Sequence, residues 1–230
     1  MNPLSTGSSH ILYPPAEGPV KVNLNNIPSL EVQEQSHEEL EPGGRFRPSE
    51  CLSRHKVAII IPFRDRATHL AVFLHNLLPF LERQQIDFAI FIVEQAGSEA
   101  VARTTAFHFS LHVHLTIIPW QIDPQSLTSP EVSSRTPCLD PEQPRHMSVA
   151  INNMKYKLPY NDIFGGVSAM TVKQFETVNG FSNKFWGWGG EDDDMSNRIK
   201  FHGYFISRYP ANVARYTMMP HKKDHPNPQR

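Results

Sequence analysis

Only two cysteines, Cys51 and Cys138, occur in 230 residues. Two thiols cannot build the disulfide framework of a small secreted module, nor a four-thiolate zinc site. Charge of one sign is also missing. The formal net charge is -1 and the isoelectric point about 6.9, which excludes bulk electrostatic capture by nucleic acid or an anionic membrane. There is no run of about 18 apolar residues, and Met1 to Ser9 lacks the charged-then-apolar layout of an export signal. Taken as it stands, the chain is expected neither to insert into a membrane nor to be exported.

Enough apolar material remains for one sizeable core, since 39% of residues are hydrophobic and 20% charged. Residues 1–50 are rich in Pro, Gly, Ser, Asn and Glu, with isolated apolar positions, and read as a flexible stem or linker. The folded body is expected over 51–230. Val57-Ala-Ile-Ile-Ile61, closed by Pro62, suits a strand buried on both faces of a parallel sheet. From Ala67 to Gln85, Leu70, Phe73, Leu74, Leu77, Leu78 and Leu81 recur at helical spacing, with Pro79 expected to kink or split the helix. Phe88-Ala-Ile-Phe-Ile-Val93 is a second strand. Strand, helix and strand make a βαβ unit, so the fold class is α/β with a mostly parallel sheet and a ligand crevice at the strands' carboxyl ends.

Residues 98–140 show no sustained period of either kind. Order resumes at Gln143-Pro-Arg-His-Met-Ser-Val-Ala150, Leu158-Pro-Tyr and Phe164-Gly-Gly-Val-Ser-Ala-Met170. Thr171 and Gln174 form a capping-box pattern for a helix that stops before Asn179-Gly180. A further helix runs from Glu191 to Phe201, with Glu191, Asp192, Asp193 and Asp194 in its first turn, where acids complement the helix dipole.

Phe185-Trp-Gly-Trp-Gly-Gly-Glu-Asp-Asp-Asp194 is the most specific stretch. Tryptophan faces and glycine-permitted backbone approach can receive the apolar side of a sugar ring, while carboxylates accept hydrogen bonds from its hydroxyls. An acidic helix start behind a glycine turn is the competing reading, although four successive acids exceed what dipole compensation needs. Pro62-Phe-Arg-Asp-Arg66 follows a buried strand, so Arg64 and Arg66 can reach a diphosphate in the crevice; surface pairing with Asp65 is the alternative. Met218-Met-Pro-His221 would not be read as a metal site from its chemistry, because a thioether suits hard Mn²⁺ poorly.

Together these motifs resemble the β-1,4-galactosyltransferase family (glycosyltransferase family 7). The likeness runs from about Glu41-Pro-Gly-Gly-Arg to Gln95-Ala-Gly97 and from Gln143-Pro-Arg-His onward, and includes Asn179-Gly-Phe-Ser182. It implies a GT-A fold and inverting transfer from a UDP-sugar to the 4-hydroxyl of a GlcNAc-terminated glycan with Mn²⁺. It implies donor contacts at Pro62, Phe63, Arg64, Arg66, Ile163, Gly166 and Trp188, with Trp188 on a closing loop. On the acceptor side it implies Tyr160, Gly190, Glu191, Asp192, Asp193 and Arg230. Asp192 matches the general base, beside Glu191, and Met218 and His221 match two of three manganese ligands. Vertebrate members carry Tyr at the position of Ile163; the smaller side chain leaves room for an N-acetyl group, as in the invertebrate N-acetylgalactosaminyltransferases. The implied donor is UDP-GalNAc, then UDP-Gal. The likeness further implies the Golgi lumen and a type II signal-anchor, and the near-neutral charge already argued against a nucleic-acid partner.

The family's Phe-Asn-Arg segment, its Cys-containing strand and its Asp-Val-Asp motif are not legible between Gly97 and Gln143. Similar length with unrelated residues is the pattern of a temporary reading-frame shift. Asp123, in Gln121-Ile-Asp123, is a weak stand-in for the missing ligand. The expected consequences are an impaired manganese site, reduced activity and no family-type disulfide, since Tyr216 stands where a partner for Cys138 is expected. A chain end short of the remaining acceptor pocket is also expected. The alternative function is an inactive glycan- or nucleotide-binding relative. A glycoside hydrolase is disfavoured, because sequential acids on one helix turn do not flank a glycosidic bond.

Overall fold

In a computed structural model of the chain, the described residues are 22–49, 51, 53, 56–94, 142–185, 188–212, 214–216, 218 and 219. Residues 98–140 therefore lie outside them, as do Asp123, Cys138, Trp186, His221 and Arg230.

The organising strand is β2, Lys56–Phe63. Its β-branched run Val57–Ile61 is at most 3% exposed at any position, as expected for a strand covered on both faces. Alternation of side chains divides the run between two cores. Val57, Ile59 and Ile61 join Phe73, Leu77 and Leu81 of α2 (Ala67–Arg83). Ala58 and Ile60 join Phe164, Met170 and Phe175 with Met195 and Ile199 of a helix on the other side. β3, Asp87–Glu94, pairs in parallel with β2 in register from Lys56↔Asp87 to Phe63↔Glu94. This is the expected βαβ unit.

The split allowed for at Pro79 does not occur: α2 continues as one element to Arg83. Pro79 removes one hydrogen bond near the carboxyl end, but Leu77 and Leu78 before it and Leu81 after it are all buried. Burial on both sides of the proline holds the helix together.

Residues 22–49 carry elements of their own. α1, Leu30–Ser36, is capped by Ser29, whose hydroxyl accepts from Val32 N. Buried Gln33 donates from Nε2 to Pro28 O at 2.9 Å and to Ala71 O at 3.1 Å, and His37 Nδ1 lies 2.7 Å from Glu82 Oε1. Asn76 bonds the backbone of Asn23 in both directions. β1, Arg45–Phe46, runs antiparallel to β3, and Phe46 stacks on Phe88 with centroids 5.3 Å apart. Polar composition hid this docking, which uses side-chain amides alongside the apolar Leu40 and Phe46.

Beyond the second core, short strands carry the rest. β4, Arg145–His146, lies between antiparallel β6, Ser168–Ala169, and parallel β7, Ser207–Arg208. β5, Ala150–Ile151, pairs in parallel with β8, Arg215–Tyr216. α3, Val172–Thr177, begins at Thr171 with the full reciprocal capping box to Gln174. α4, Glu191–Phe201, follows Gly190. Cys51 is an exposed free thiol beside Gln85 Oε1.

Candidate active site

Two structures meet at the start of α4: the helix's acid row and the loop 160–167. Phe164 is buried in the second core and Val167 in the first, so Gly165 and Gly166 cross between them. A Cβ at Gly165 would stand 2.7 Å from Asp192 Oδ2. The Asp192 carboxylate is thus seated on a bare α-carbon, in space that no other residue type leaves open. Gly190, the N-cap, has φ 95° and provides no side-chain cap; a glycine fits that left-handed conformation without steric cost.

The four acids separate by environment. Asp194 pairs with Arg198 one turn on, at 2.6 Å. Asp193 accepts a 2.8 Å hydrogen bond from the Tyr160 hydroxyl. Glu191 has a buried Oε2. Asp192 is pushed up to about 6, first by burial and then by the charges of Glu191 and Asp193. Burial, the bond to Asp193 and the charge of Asp192 also raise the Tyr160 phenol above its usual range. An ordinary structural role, an ion pair within the helix, therefore describes Asp194 but not Asp192. A largely buried carboxylate poised near neutrality, beside an exposed tyrosine, is suited to take a proton from a bound hydroxyl.

Behind this row lies a polar network that sequence reasoning missed. His146 is fully buried, with Nε2 2.9 Å from Gly165 O, and Arg208 Nε donates to its Nδ1 at 3.1 Å. Arg208 Nη2 also donates to Ile163 O at 2.6 Å and Asn161 O at 2.9 Å. Ser148 accepts from Val167 N at 2.8 Å. The available signal was the spacing in Arg145-His-Met-Ser148, which brings two polar residues, both buried, within 3.2 Å of each other.

The other predicted positions are distributed as follows. Pro62 and Phe63 close β2 opposite Val93 and Glu94. Arg64 Nε is 3.8 Å from the 91% exposed Asp65 carboxylate, and Arg66 is the N-cap of α2. Both arginines thus sit at the carboxyl end of the parallel pair. The Ile163 side chain is buried, at 9% exposure. Gly166 has φ 82°, and a Cβ there would collide with Ser148 Oγ. Trp188 is half-buried, just ahead of Gly190.

A model of the N-terminal region of glycosyl transferase group 7 matches residues 10–121, and one described as the N-terminal domain of galactosyltransferase matches 145–222. Human β-1,4-galactosyltransferase 3 is 41% identical over 214 residues, 91% of this chain and 54% of that protein. The chain belongs to the β-1,4-galactosyltransferase family. Mouse β-1,4-galactosyltransferase 1 is 41% identical over 219 residues (93% of this chain, 54% of that protein), and zebrafish β-1,4-galactosyltransferase 5 is 40% identical over 215 residues (90% and 56%). The chain spans about half the length of these relatives. Two solved structures of the family are similar at a TM-score of 0.53, each covering 67% of this chain and 64% of the other. One is the catalytic domain of Drosophila β-1,4-galactosyltransferase 7 with xylobiose, 28% identical. The other, 27% identical, is a mutant of that protein with manganese, UDP-Gal and xylobiose. The fold is accordingly GT-A, with β2 and β3 in its sheet.

Of the residues that the family likeness assigns to manganese, only Met218 lies among the described ones. Among the described residues no three His, Cys, Asp or Glu side chains cluster to hold a metal. Met218 Sδ accepts from Asn153 Nδ2 at 3.0 Å, and a thioether is a soft ligand for a cation that prefers oxygen. His221 and Asp123 lie outside the described residues.

Proposed function

We propose that this β-1,4-galactosyltransferase relative is an inverting glycosyltransferase that moves GalNAc, or secondarily Gal, from a UDP-sugar to the 4-hydroxyl of a terminal GlcNAc. Asp192, seated on Gly165 and pushed up to about 6, carries the reading. Its carboxylate takes the acceptor hydroxyl's proton as that oxygen attacks the anomeric carbon. The bond from the anomeric carbon to the UDP oxygen breaks as the new glycosidic bond forms, so one displacement inverts the centre. At pH 7 a group with this pKa is about nine-tenths ionised, and it is a stronger base than an ordinary aspartate.

Tyr160 and Asp193, joined by a 2.8 Å hydrogen bond, with Glu191 and Gly190, form the acceptor side; Arg230 is assigned there by family likeness. Arg64 and Arg66, with Pro62 and Phe63, are assigned to the donor's uridine and diphosphate, whose leaving charge the guanidinium groups stabilise. Gly166 and Trp188 are assigned to the donor by the same likeness. Ile163 supports UDP-GalNAc over UDP-Gal by its small side chain. The likeness also supports residence in the Golgi lumen as part of a type II membrane protein; among the described residues no helix is long and apolar enough to cross a membrane.

A second reading is an inactive glycan- or nucleotide-binding relative; it rests on the assembled acid row, which could hold a glycan without transferring sugar to it. Calorimetry with UDP in the presence and absence of manganese, alongside turnover of UDP-GalNAc and UDP-Gal on a GlcNAc acceptor, separates the two. The transferase reading predicts manganese-dependent UDP binding and measurable transfer, with UDP-GalNAc preferred. Binding of acceptor, or of UDP without dependence on manganese, together with no transfer would establish the second reading.

A further inference from the structure

We propose that Arg208 and His146 form a clamp that positions the Asp192 carboxylate, by fixing the backbone of the loop on which that carboxylate rests. The inference deepens the transferase reading and rests on it for its catalytic meaning. It is carried by geometry. Arg208 on β7 reaches three acceptors: His146 Nδ1, Ile163 O and Asn161 O, at 3.1, 2.6 and 2.9 Å. A guanidinium can only donate, so Nδ1 of His146 must be the ring's acceptor. The proton therefore lies on Nε2, which donates to Gly165 O at 2.9 Å. One arginine and one histidine thus hold the carbonyls of residues 161, 163 and 165, every second residue along the loop. Ser148 closes the arrangement, accepting from Val167 N at 2.8 Å and lying 3.3 Å from Gly165 O.

Both ends of this loop touch the acid row. Tyr160 precedes it and donates to Asp193; Gly165 ends it beneath Asp192 Oδ2. A shift of the loop would therefore move the phenol and the base's seat together. Only a neutral imidazole can accept from Arg208 and donate to Gly165 at once. Burial, reinforced by the Arg208 charge, holds His146 at about 3, so the required tautomer persists throughout the working pH range. An anchor needing only adhesion would be met more simply by apolar side chains, because a buried polar pair gains mainly geometric definition.

The variants that test the clamp are Arg208→Lys, which keeps the charge but not the fork, His146→Asn, which keeps an acceptor for Arg208 but loses reach to Gly165, and His146→Gln, which keeps that reach. In the full chain, amide exchange over residues 163–167 is expected to accelerate at least about tenfold in Arg208→Lys and His146→Asn, with α2 exchange unchanged. In steady-state transfer, kcat is expected to fall about 10- to 100-fold with the UDP-sugar KM within about twofold, and His146→Gln is expected to recover part of the loss. A purely structural role would instead accelerate exchange in α2 and the loop alike. That result, or an unchanged kcat, overturns the proposal. If the parent chain transfers no sugar, the transferase reading falls, and the clamp is decided by loop exchange and the Asp192 carboxyl titration. Changes in both confined to this site sustain it; no change in either refutes it.

Discussion

The acid row at the start of α4 and the arginine turn after β2 carry the two halves of the proposed chemistry, but they are built differently. Asp192 rests on Gly165, has charged neighbours on both sides and is displaced to about 6 by burial. Arg64 stands 3.8 Å from a carboxylate that is 91% exposed, a pairing worth little by itself. The contrast teaches that proton transfer demands a buried, fixed group, whereas attraction of phosphates demands mainly charge at the right strand end. The cost falls on the acid side. There stability and function should oppose each other, and at the arginine turn they should not.

The largest effect is expected at the base itself. Asp192→Asn should lower transfer about 10²- to 10⁴-fold, the usual contribution of a general base. The same substitution should stabilise the protein. The Asp192 pKa is raised on folding from 3.8 to about 6, so between those values the folded state binds more protons than the unfolded state. Stability contributed by this group therefore falls as pH rises from about 4 to about 6 and stays low above it. Relief of that penalty is up to about 3 kcal/mol at pH 7, readable as a higher midpoint in thermal or denaturant unfolding. Loss of activity with loss of stability would break the comparison.

Gly165→Ala comes next. Its Cβ would stand 2.7 Å from Asp192 Oδ2, so the carboxylate must leave its seat; transfer should fall about 10- to 100-fold, with about 1–3 kcal/mol of overpacking cost in unfolding. A smaller effect is expected for Tyr160→Phe, which removes the donor to Asp193 and should raise acceptor KM by up to about tenfold without changing UDP affinity. Smallest is Asp194→Asn. It breaks a 2.6 Å i,i+4 pair with Arg198 worth about 0.3–0.5 kcal/mol, and should leave transfer within about twofold. An equal loss at Asp194 and Asp192 would mean that the row acts only through its summed charge.

Much of this was legible in the residues. Val57–Ile61 announced a strand covered on both faces, because only such a strand is apolar without alternation. Thr171 and Gln174 announced the start of α3, because capping is local chemistry. The docking of residues 22–49 was not legible, since it depends on Gln33 and Asn76 bonding distant backbone. Nor was the continuity of α2 through Pro79, which long-range burial decides. Within the site, the acid row could be read and the family likeness singled out Asp192, but the contacts that set the four acids apart were not legible. The difference lies in which acid meets Gly165, which meets Tyr160 and which meets Arg198. His146 and Arg208 are 62 residues apart, and no local pattern joins them.

The central claim is that folding places Asp192 where its carboxylate is hard to ionise and easy to use. Its carboxyl ¹³C shift, followed by NMR against pH in the intact chain, measures this directly and needs no activity. The account predicts a midpoint near the value of about 6 given by its burial and its acidic neighbours. A midpoint at about 4, that of an ordinary solvated aspartate, would contradict it.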